Sequence, residues 1–291
     1  MTDPIPPVRV FPAARQEAEI ANQPTPAPQT EHSAYRLAFQ DMDFLLREDL
    51  RPVRFQLELL KPELLLDEAK IGSTFVFYGS ARIPEPEKAD ALLAAAASDG
   101  QRRIAERLKA KSVYYDEARR LARLASRCDP DPDGLKHFVV CSGGGPSIME
   151  AANRGALDEG KESVGLNIVL PHEQMPNPYV TPGLSFQFHY FALRKMHFLL
   201  RARAVAVFPG GFGTFDEMFE LLTLIQTGKV KPLPIFLFGR EFWERVVDFD
   251  ALVEEGVIAE RDLDLFTYVD SAEEAWERVC AYYEERQEAG A

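Results

Sequence analysis

Cysteine is scarce in this sequence of 291 residues, which has three cysteines and no pair at Cys-x-x-Cys spacing. An odd number of scattered cysteines argues against a disulfide framework and against a zinc cluster, and it fits a reducing compartment. We therefore expect a cytoplasmic protein that holds no metal ion.

Long apolar runs and an excess of positive charge are also missing. No apolar run approaches the roughly 20 residues that a membrane-spanning helix needs. The first residues carry prolines and charges where a signal peptide has an apolar stretch. The formal net charge of −13 argues against nonspecific binding of nucleic acid. We expect no membrane and no nucleic-acid partner, while a locally basic site for an anion stays compatible with this charge.

The composition, 46% hydrophobic and 27% charged, is that of a globular protein with a sizeable core. Residues 1–30 are rich in Pro, Gln, Ala and Thr and predict a flexible Pro-rich arm. Residues 31–70 have a helical pattern, which Pro52 and Pro62 are expected to divide into short helices. Residues 71–291 form the predicted main domain.

Short apolar segments alternate with helical ones throughout this domain. The predicted strands lie in "STFVFYGSAR", "KHFVVC", "SVGLNIVL", "AVAVF", "LPIFLFG" and "DLFTYVD". Residues 86–128 are expected to be helical, residues 185–202 to contain a helix, and residues 241–256 to form one helix. The alternation predicts an α/β fold, a Rossmann-like doubly wound parallel sheet with helices on both faces, preceded by the helical extension.

Three predicted strands end in turns of small residues, and ligands of such sheets bind at the carboxyl ends of the strands. Glycine lets backbone N–H groups approach a ligand, and a helix N-terminus attracts phosphate. The turn at residues 143–148 does not match the GxGxxG fingerprint, because Ile148 stands where the last glycine should be. A tight turn that binds no ligand is therefore an alternative interpretation of this segment. The candidate ligand-binding residues in these turns are Ser80, Gly143, Gly144, Gly145, Ser147, Gly210, Gly211, Gly213 and Thr214.

Glu217 has two interpretations that make opposite demands on its side chain. The segment "TFDE" fits a capping box, in which Thr214 is the N-cap and Glu217 binds its backbone N–H. Alternatively, the carboxylate faces the crevice and handles a sugar hydroxyl or a water. The spacing leaves both open.

A basic cluster stands out in this acidic chain. Arg194, Lys195, Arg201 and Arg203 lie within ten residues, with no acid among them. They form either a solvated basic face that pairs with surface acids or a site that recognises an anion. His197 is expected to be a packing residue. The spacing supports no Ser-His-Asp arrangement, and the nucleophile motif GxSxG is missing.

The pattern "LRKMHFLL", a strand, and then "PGGFGTFDE" resembles the signature RK…PGGxGTxxE of the LOG family. These cytokinin riboside 5′-monophosphate phosphoribohydrolases are often labelled lysine decarboxylase-like. "SGGGPSIMEAANRGA" resembles the first glycine-rich motif of the family, and "FVFYGSAR" resembles its opening strand. The resemblance covers about residues 72–270, and the segment before it suggests a longer bacterial variety.

This resemblance implies a homodimer or higher homo-oligomer that hydrolyses the N-glycosidic bond of nucleoside 5′-monophosphates without a cofactor. The products are a free base and ribose 5-phosphate, and the substrates include AMP and cytokinin riboside monophosphates. Arg194 and Glu217 match the catalytic pair. The residues that match the phosphate loop are Gly210, Gly211, Gly213 and Thr214. Lys195 is a further candidate for substrate binding.

The alternative function is a non-catalytic carrier or sensor of a phosphorylated ligand, similar to a molybdenum-cofactor carrier. Such a protein needs the glycine loops and the basic residues, but it does not need a positioned carboxylate. The side chains of Tyr78, Phe191 and Phe212 are candidates for stacking on a base, although aromatic side chains of this kind are more often core residues.

Overall fold

The computed structural model describes residues 12–171 and 175–289. Contacts divide the chain into two compact units, residues 1–58 and 59–291. Residues 1–11 of the predicted arm lie outside the described residues.

The described part of the first unit contains short helices and the first part of a long helix, which continues into the second unit. Asp41 begins one of them by accepting a hydrogen bond from the Phe44 backbone N–H at 3.2 Å. Pro52 lies in the first turn of a long helix, and Pro62 lies inside the same helix, so the expected break at Pro62 is wrong. Pro62 is buried there, and packing outweighs the lost backbone hydrogen bond. The helices are α1 Ala14–Ala21, α2 Pro28–Glu31, α3 Met42–Leu45 and α4 Arg51–Glu68.

The second unit is built on a parallel sheet of seven strands in the order β4-β3-β2-β1-β5-β6-β7. The chain moves from β1 to β4 in one direction and then returns to place β5 on the other side of β1. The strands are β1 Thr74–Tyr78, β2 Val139–Ser142, β3 Ser163–Ile168, β4 Ser185–Phe188, β5 Ala202–Val207, β6 Ile235–Phe238 and β7 Thr267–Val269.

Helices cover both faces of this sheet. On one face Phe75 and Phe77 of β1 belong to a buried cluster with Ala118 and Ile148. On the other face Tyr78 meets Phe198 edge to face, with ring centroids 5.1 Å apart. The predicted doubly wound α/β fold is therefore confirmed. The helices are α5 Pro86–Ala94, α6 Asp99–Ala110, α7 Val113–Ser126, α8 Ile148–Asp158, α9 Phe191–Leu200, α10 Phe212–Gln226, α11 Arg240–Val246, α12 Phe249–Glu254 and α13 Ala272–Ala289.

Two regions differ from the expected elements. Strand β4 precedes the helix expected in residues 185–202, and its four residues alternate, with Phe186 and Phe188 buried and Gln187 exposed. Residues 241–256 contain two helices instead of one, because Asp248 begins α12 by accepting from the Ala251 N–H at 3.0 Å.

Candidate active site

The turns after β1, β2 and β5 meet because these three strands are neighbours in the sheet. They surround a cavity of about 1310 Å³ at the point where the strand order reverses. Backbone hydrogen bonds tie the turns together: the Ser80 N–H donates to the Pro209 carbonyl at 3.1 Å, and the Ile148 N–H donates to the Ser80 carbonyl at 3.4 Å. The candidate residues that line the cavity are Ser80, Gly143, Gly145, Arg194, Gly211, Gly213, Thr214 and Glu217.

Asn177 holds the glycine turn after β2 in place. Its backbone N–H donates to the Gly144 carbonyl at 2.7 Å, and its side-chain amide donates to the Gly145 carbonyl at 2.9 Å. Gly144 has a φ of 72°, and a Cβ on it would lie 2.3 Å from Oδ1 of Asn167. A residue other than glycine would therefore be strained and crowded there.

Arg194 extends from α9 under this turn with 9% of the residue exposed. Its Nε donates to the Leu166 carbonyl at 2.7 Å, and its guanidinium lies 5.0 Å from the ring centroid of Phe198. A Cβ on Gly143 would lie 2.6 Å from Nη2 of Arg194, so the glycine admits the guanidinium. Nη1 donates to Oε1 of Glu217 at 3.1 Å. These contacts fix the arginine at the cavity wall.

Helix α10 begins with Phe212, and Gly211 is its N-cap. The Phe215 N–H donates to the Gly211 carbonyl at 3.0 Å, so Thr214 already lies inside the first turn. The capping-box interpretation of Glu217 is therefore wrong.

Glu217 instead faces the cavity, with 14% of its side chain exposed. Burial raises its pKa from 4.5 to about 7, because the charged form loses its hydration. The guanidinium of Arg194 opposes this rise, since it stabilises the carboxylate. The result is a carboxyl group that changes charge near neutral pH.

The start of α10 is open to the cavity. A Cβ on Gly211 or Gly213 would meet no atom within 4 Å. Gly210 has a different role, because a Cβ there would lie 2.1 Å from Oγ1 of the buried Thr214. Gly210 thus allows close packing behind the helix start and does not line the cavity.

Ser147 and Lys195 are engaged within the protein, away from the cavity lining. The Ser147 hydroxyl donates to the Ile83 carbonyl. The Lys195 ammonium pairs with Asp216 at 2.9 Å and Glu220 at 3.1 Å. Gly144 is also outside the lining.

The other members of the basic cluster and the aromatic candidates are distributed differently. Arg201 pairs with Glu63 and Asp67, at 3.0 and 2.7 Å, so it does not contribute to an open anion site. Phe191 and Phe212 line the cavity, whereas Tyr78 is a core residue, as its alternative interpretation allowed.

The sequence analysis did not anticipate several lining residues, among them Arg82, Glu150 and Asn167. Arg82 follows Ser80 by two positions, and its backbone N–H donates to the Ser80 hydroxyl at 3.0 Å. Both Arg82 and Glu150 belong to quoted motifs, "FVFYGSAR" and "SGGGPSIMEAANRGA", but nothing in the sequence singles them out within those motifs.

Across residues 12–171 and 175–289 we find no group of three His, Cys, Asp or Glu side chains placed to hold a metal ion. In the same part of the chain, none of the helices combines the length and the apolar character needed to cross a membrane.

The fold and this cavity define a Rossmann-like α/β protein with a site at the switch point of its sheet. The family described as "Possible lysine decarboxylase" matches residues 149–279, a stretch that contains Arg194 and Glu217. The resemblance to the LOG, or lysine decarboxylase-like, family is thereby confirmed.

Two relatives have named activities. A cytokinin riboside 5′-monophosphate phosphoribohydrolase of Arabidopsis thaliana is 26% identical over 153 residues, which are 51% of this chain and 67% of that protein. A pyrimidine/purine nucleotide 5′-monophosphate nucleosidase of Escherichia coli K12 is 28% identical over 135 residues, which are 43% of this chain and 29% of that protein. The match thus spans less than a third of the bacterial relative.

Solved structures also match this chain. One is the structural-genomics target TM1055, which is 21% identical in sequence and has a TM-score of 0.45. The match covers 71% of this chain and 98% of that chain. The molybdenum cofactor carrier protein of Chlamydomonas reinhardtii is 14% identical with a TM-score of 0.39 over 72% of this chain and 99% of that chain. The assignment of the fold depends on the strand order of this chain.

Proposed function

We propose that this protein hydrolyses the N-glycosidic bond of nucleoside 5′-monophosphates, with AMP, cytokinin riboside 5′-monophosphates or both as substrates. The products are the free base and ribose 5-phosphate. The main support is the Arg194–Glu217 pair, a mostly buried carboxylate held at the cavity wall three residues after Thr214. The named activities of the relatives point to the same reaction class.

The two glycine turns differ in the charge beside them, which decides where a phosphate binds. Helix α8 has Glu150 in its first turn, and this residue lines the cavity. Helix α10 has no acidic residue in its first turn. A carboxylate repels phosphate, whereas a bare helix N-terminus attracts it. We therefore place the 5′-phosphate at Gly211, Gly213 and Thr214.

With the phosphate held there, the ribose lies against Glu217, which follows Thr214 by three residues and so by less than one helical turn of α10. Cleavage of the glycosidic bond passes through a state with positive charge on the ribose, and a nearby carboxylate stabilises that charge. The C1′–N bond breaks with its electron pair going to the base, and the base takes up a proton from the solvent. A water oxygen bonds to C1′, and the proton it loses passes to Glu217, which then returns it to the solvent.

Arg194 keeps the Glu217 carboxylate oriented, because its Nη1 occupies Oε1. The second oxygen, Oε2, is then the one that handles the water. Since the pKa of Glu217 is about 7, the rate should rise as the pH increases through that value.

Purified protein incubated with AMP tests this proposal, with adenine and ribose 5-phosphate followed by chromatography. Glu217→Gln should still bind AMP and should release little adenine. Asp216→Asn is the matched control, because Asp216 is the neighbouring acid on α10 and 59% of its side chain is exposed. If the protein cleaved none of AMP, the other common nucleoside monophosphates and the cytokinin forms, the carrier function would replace the hydrolase function.

We also propose that the protein forms a homodimer or a higher homo-oligomer. Apolar side chains on α9 and α10 are exposed, with Phe212 at 97% and Phe191 at 54%. A surface of this kind favours association. Sedimentation analysis of the wild type and of Phe212→Ser tests this; a monomer at all concentrations would contradict it.

A further inference from the structure

A second carboxylate, Glu150, lines the cavity that contains Glu217. Tyr115 of α7 is 1% exposed and donates its hydroxyl proton to Oε1 of Glu150 at 3.2 Å. Arg154 and Lys88 pair with Glu85, at 2.5 and 3.0 Å. Within the described ranges Glu150 has no ion pair, so its charge is not neutralised by a contact. Glu150 is thus a positioned acceptor with one oxygen left for a ligand.

The strand order sets the spacing, along the sheet, between the turn that precedes Glu150 and the turn of the proposed phosphate site. Helix α8 follows β2 and α10 follows β5, and these strands are two positions apart in the sheet. Neighbouring strands are about 4.8 Å apart, which separates β2 from β5 by roughly 10 Å. This is about the span from a 5′-phosphate to the far edge of the base. The ribose is placed at Glu217, so the part of a nucleotide that reaches Glu150 is the base.

The surroundings of Glu150 fit the flat faces of a base. Pro146, Met149 and Pro176 line the same cavity, and Pro146 and Met149 are close neighbours of Glu150 in the chain. A Cβ on Gly145 would lie 2.7 Å from Cε of Met149, so the thioether lies directly on the glycine turn. Apolar walls with one polar acceptor are the usual composition of a site that orients a ring by its edge.

We propose that Glu150 is a specificity-determining residue that accepts a hydrogen bond from the exocyclic amino group of the base. The site would then select adenine, N6-substituted adenines that keep one N–H, and cytosine over their oxo counterparts. An oxo base presents an acceptor to the carboxylate, which leaves two buried acceptors facing each other without a proton. This inference rests on the proposed function, because it uses the position assigned to the ribose.

The test compares kcat/KM for two pairs of nucleotides that differ only in this group, AMP against IMP and CMP against UMP. The wild type should prefer the amino member of each pair by about 10- to 100-fold, the effect of one hydrogen bond to a charged group. Glu150→Gln should bring both ratios close to one, because a glutamine amide can accept from an amino group and donate to an oxo group. Glu87→Gln, an exposed acid in the first turn of α5, is the control.

Tyr115→Phe tests the positioning of Glu150. It should reduce the AMP to IMP ratio by less than Glu150→Gln does. Unchanged ratios in Glu150→Gln would overturn the proposal. An equal loss of activity on all four nucleotides would also overturn it, because that result would place Glu150 at the ribose.

Failure of the proposed function would look different. If the wild type cleaved none of the four nucleotides, the hydrolase function would fall, and calorimetric affinities for AMP and IMP would then test Glu150 directly. A preference for AMP in binding that disappears in Glu150→Gln would support the inference, and equal affinities in the wild type would overturn it.

Discussion

Polar side chains form close arrangements at both ends of the parallel sheet, and the two arrangements differ in access. At the carboxyl end, Arg194 and Glu217 meet at the wall of the cavity. At the amino end, the Ser73 hydroxyl lies 3.1 Å from Nδ1 of His137, and Nε2 of His137 lies 3.1 Å from Asp131. By distances alone the second arrangement looks like the catalytic triad of a hydrolase.

The amino-end arrangement lacks the room that chemistry needs. Ser73 is 1% exposed and accepts a hydrogen bond from the Phe138 N–H at 3.1 Å. Neither Ser73, His137 nor Asp131 is among the residues that line the cavity. Their hydrogen bonds connect the start of β1 to the segment before β2, which is a structural role.

The carboxyl groups of the two ends also differ in the direction of their pKa shifts. Burial raises the pKa of Glu217 to about 7. Hydrogen bonds from His137 and from the backbone of Leu135 lower the pKa of Asp131 below its usual range. A destabilised charge beside a cavity is typical of a functional group, and a stabilised charge in a closed network is typical of a structural one.

The largest expected difference is in catalysis. Glu217→Gln should lower kcat for AMP by about 10²- to 10⁴-fold, the usual contribution of one general acid or base. Ser73→Ala should leave kcat near the wild-type value, because its hydroxyl has no access to substrate. Both are measured by adenine release at saturating AMP. Comparable losses in the two variants would show that the amino end takes part in the reaction.

The second difference concerns stability against pH. A raised pKa means that Glu217 contributes stability below about pH 4.5 and loses it as the pH rises through about 7. The loss should be on the order of 3 kcal/mol in the free energy of unfolding. Glu217→Gln removes this decline, so the variant should be more stable than the wild type at pH 8. Urea unfolding of both proteins at pH 4.5 and pH 8 measures this difference in the free energy of unfolding. If Glu217→Gln were less stable than the wild type at pH 8, burial would not be destabilising the Glu217 carboxylate.

The turns at the two ends give a matched pair of glycines. Gly144 and Gly134 have φ values of 72° and 79°. A Cβ on Gly144 would lie 2.3 Å from Oδ1 of Asn167, whereas one on Gly134 would lie 3.3 Å from the mobile end of Lys70. Gly134→Ala should cost about 1 kcal/mol for the left-handed backbone, and Gly144→Ala should cost at least about 2 kcal/mol more because it adds overpacking. Equal losses of stability in thermal unfolding would mean that the turn after β2 is less tightly held than its contacts indicate.

Local patterns were enough to predict most of the sheet, whereas the meeting of its three turns depended on a strand order that the sequence does not show. Apolar runs bounded by glycines identify β1, β2 and β5, and parallel strands bring their carboxyl ends together. Strand β4 was missed, because two buried phenylalanines give too short an alternation to separate it from the helix that follows.

Contacts between distant segments could not be read from the sequence. Tyr115 reaches Glu150 across 35 residues because α7 packs on α8, and Ser73 reaches His137 across 64 residues through strand pairing. Separations of 35 and 64 residues follow no helical or strand periodicity, so the sequence does not indicate these contacts. The predicted start of α10 was wrong for a different reason. Gly211 and Thr214 can both serve as the N-cap of a helix, and only the hydrogen bond from the Phe215 N–H to the Gly211 carbonyl identifies Gly211 as the N-cap.

The smallest expected effect is that of Asp131→Asn, and its dependence on pH distinguishes a structural network from a catalytic one. A lowered pKa means that Asp131 contributes stability at neutral pH and loses it as the pH falls through the pKa of the folded state. The variant should therefore melt slightly below the wild type at pH 7, and the difference in Tm should vanish at acid pH. Adenine release should be unchanged at every pH at which both proteins are folded. A change in the pH–rate profile, with the Tm difference unchanged, would mean that the amino-end cluster is coupled to the cavity, and the comparison between the two ends would no longer hold.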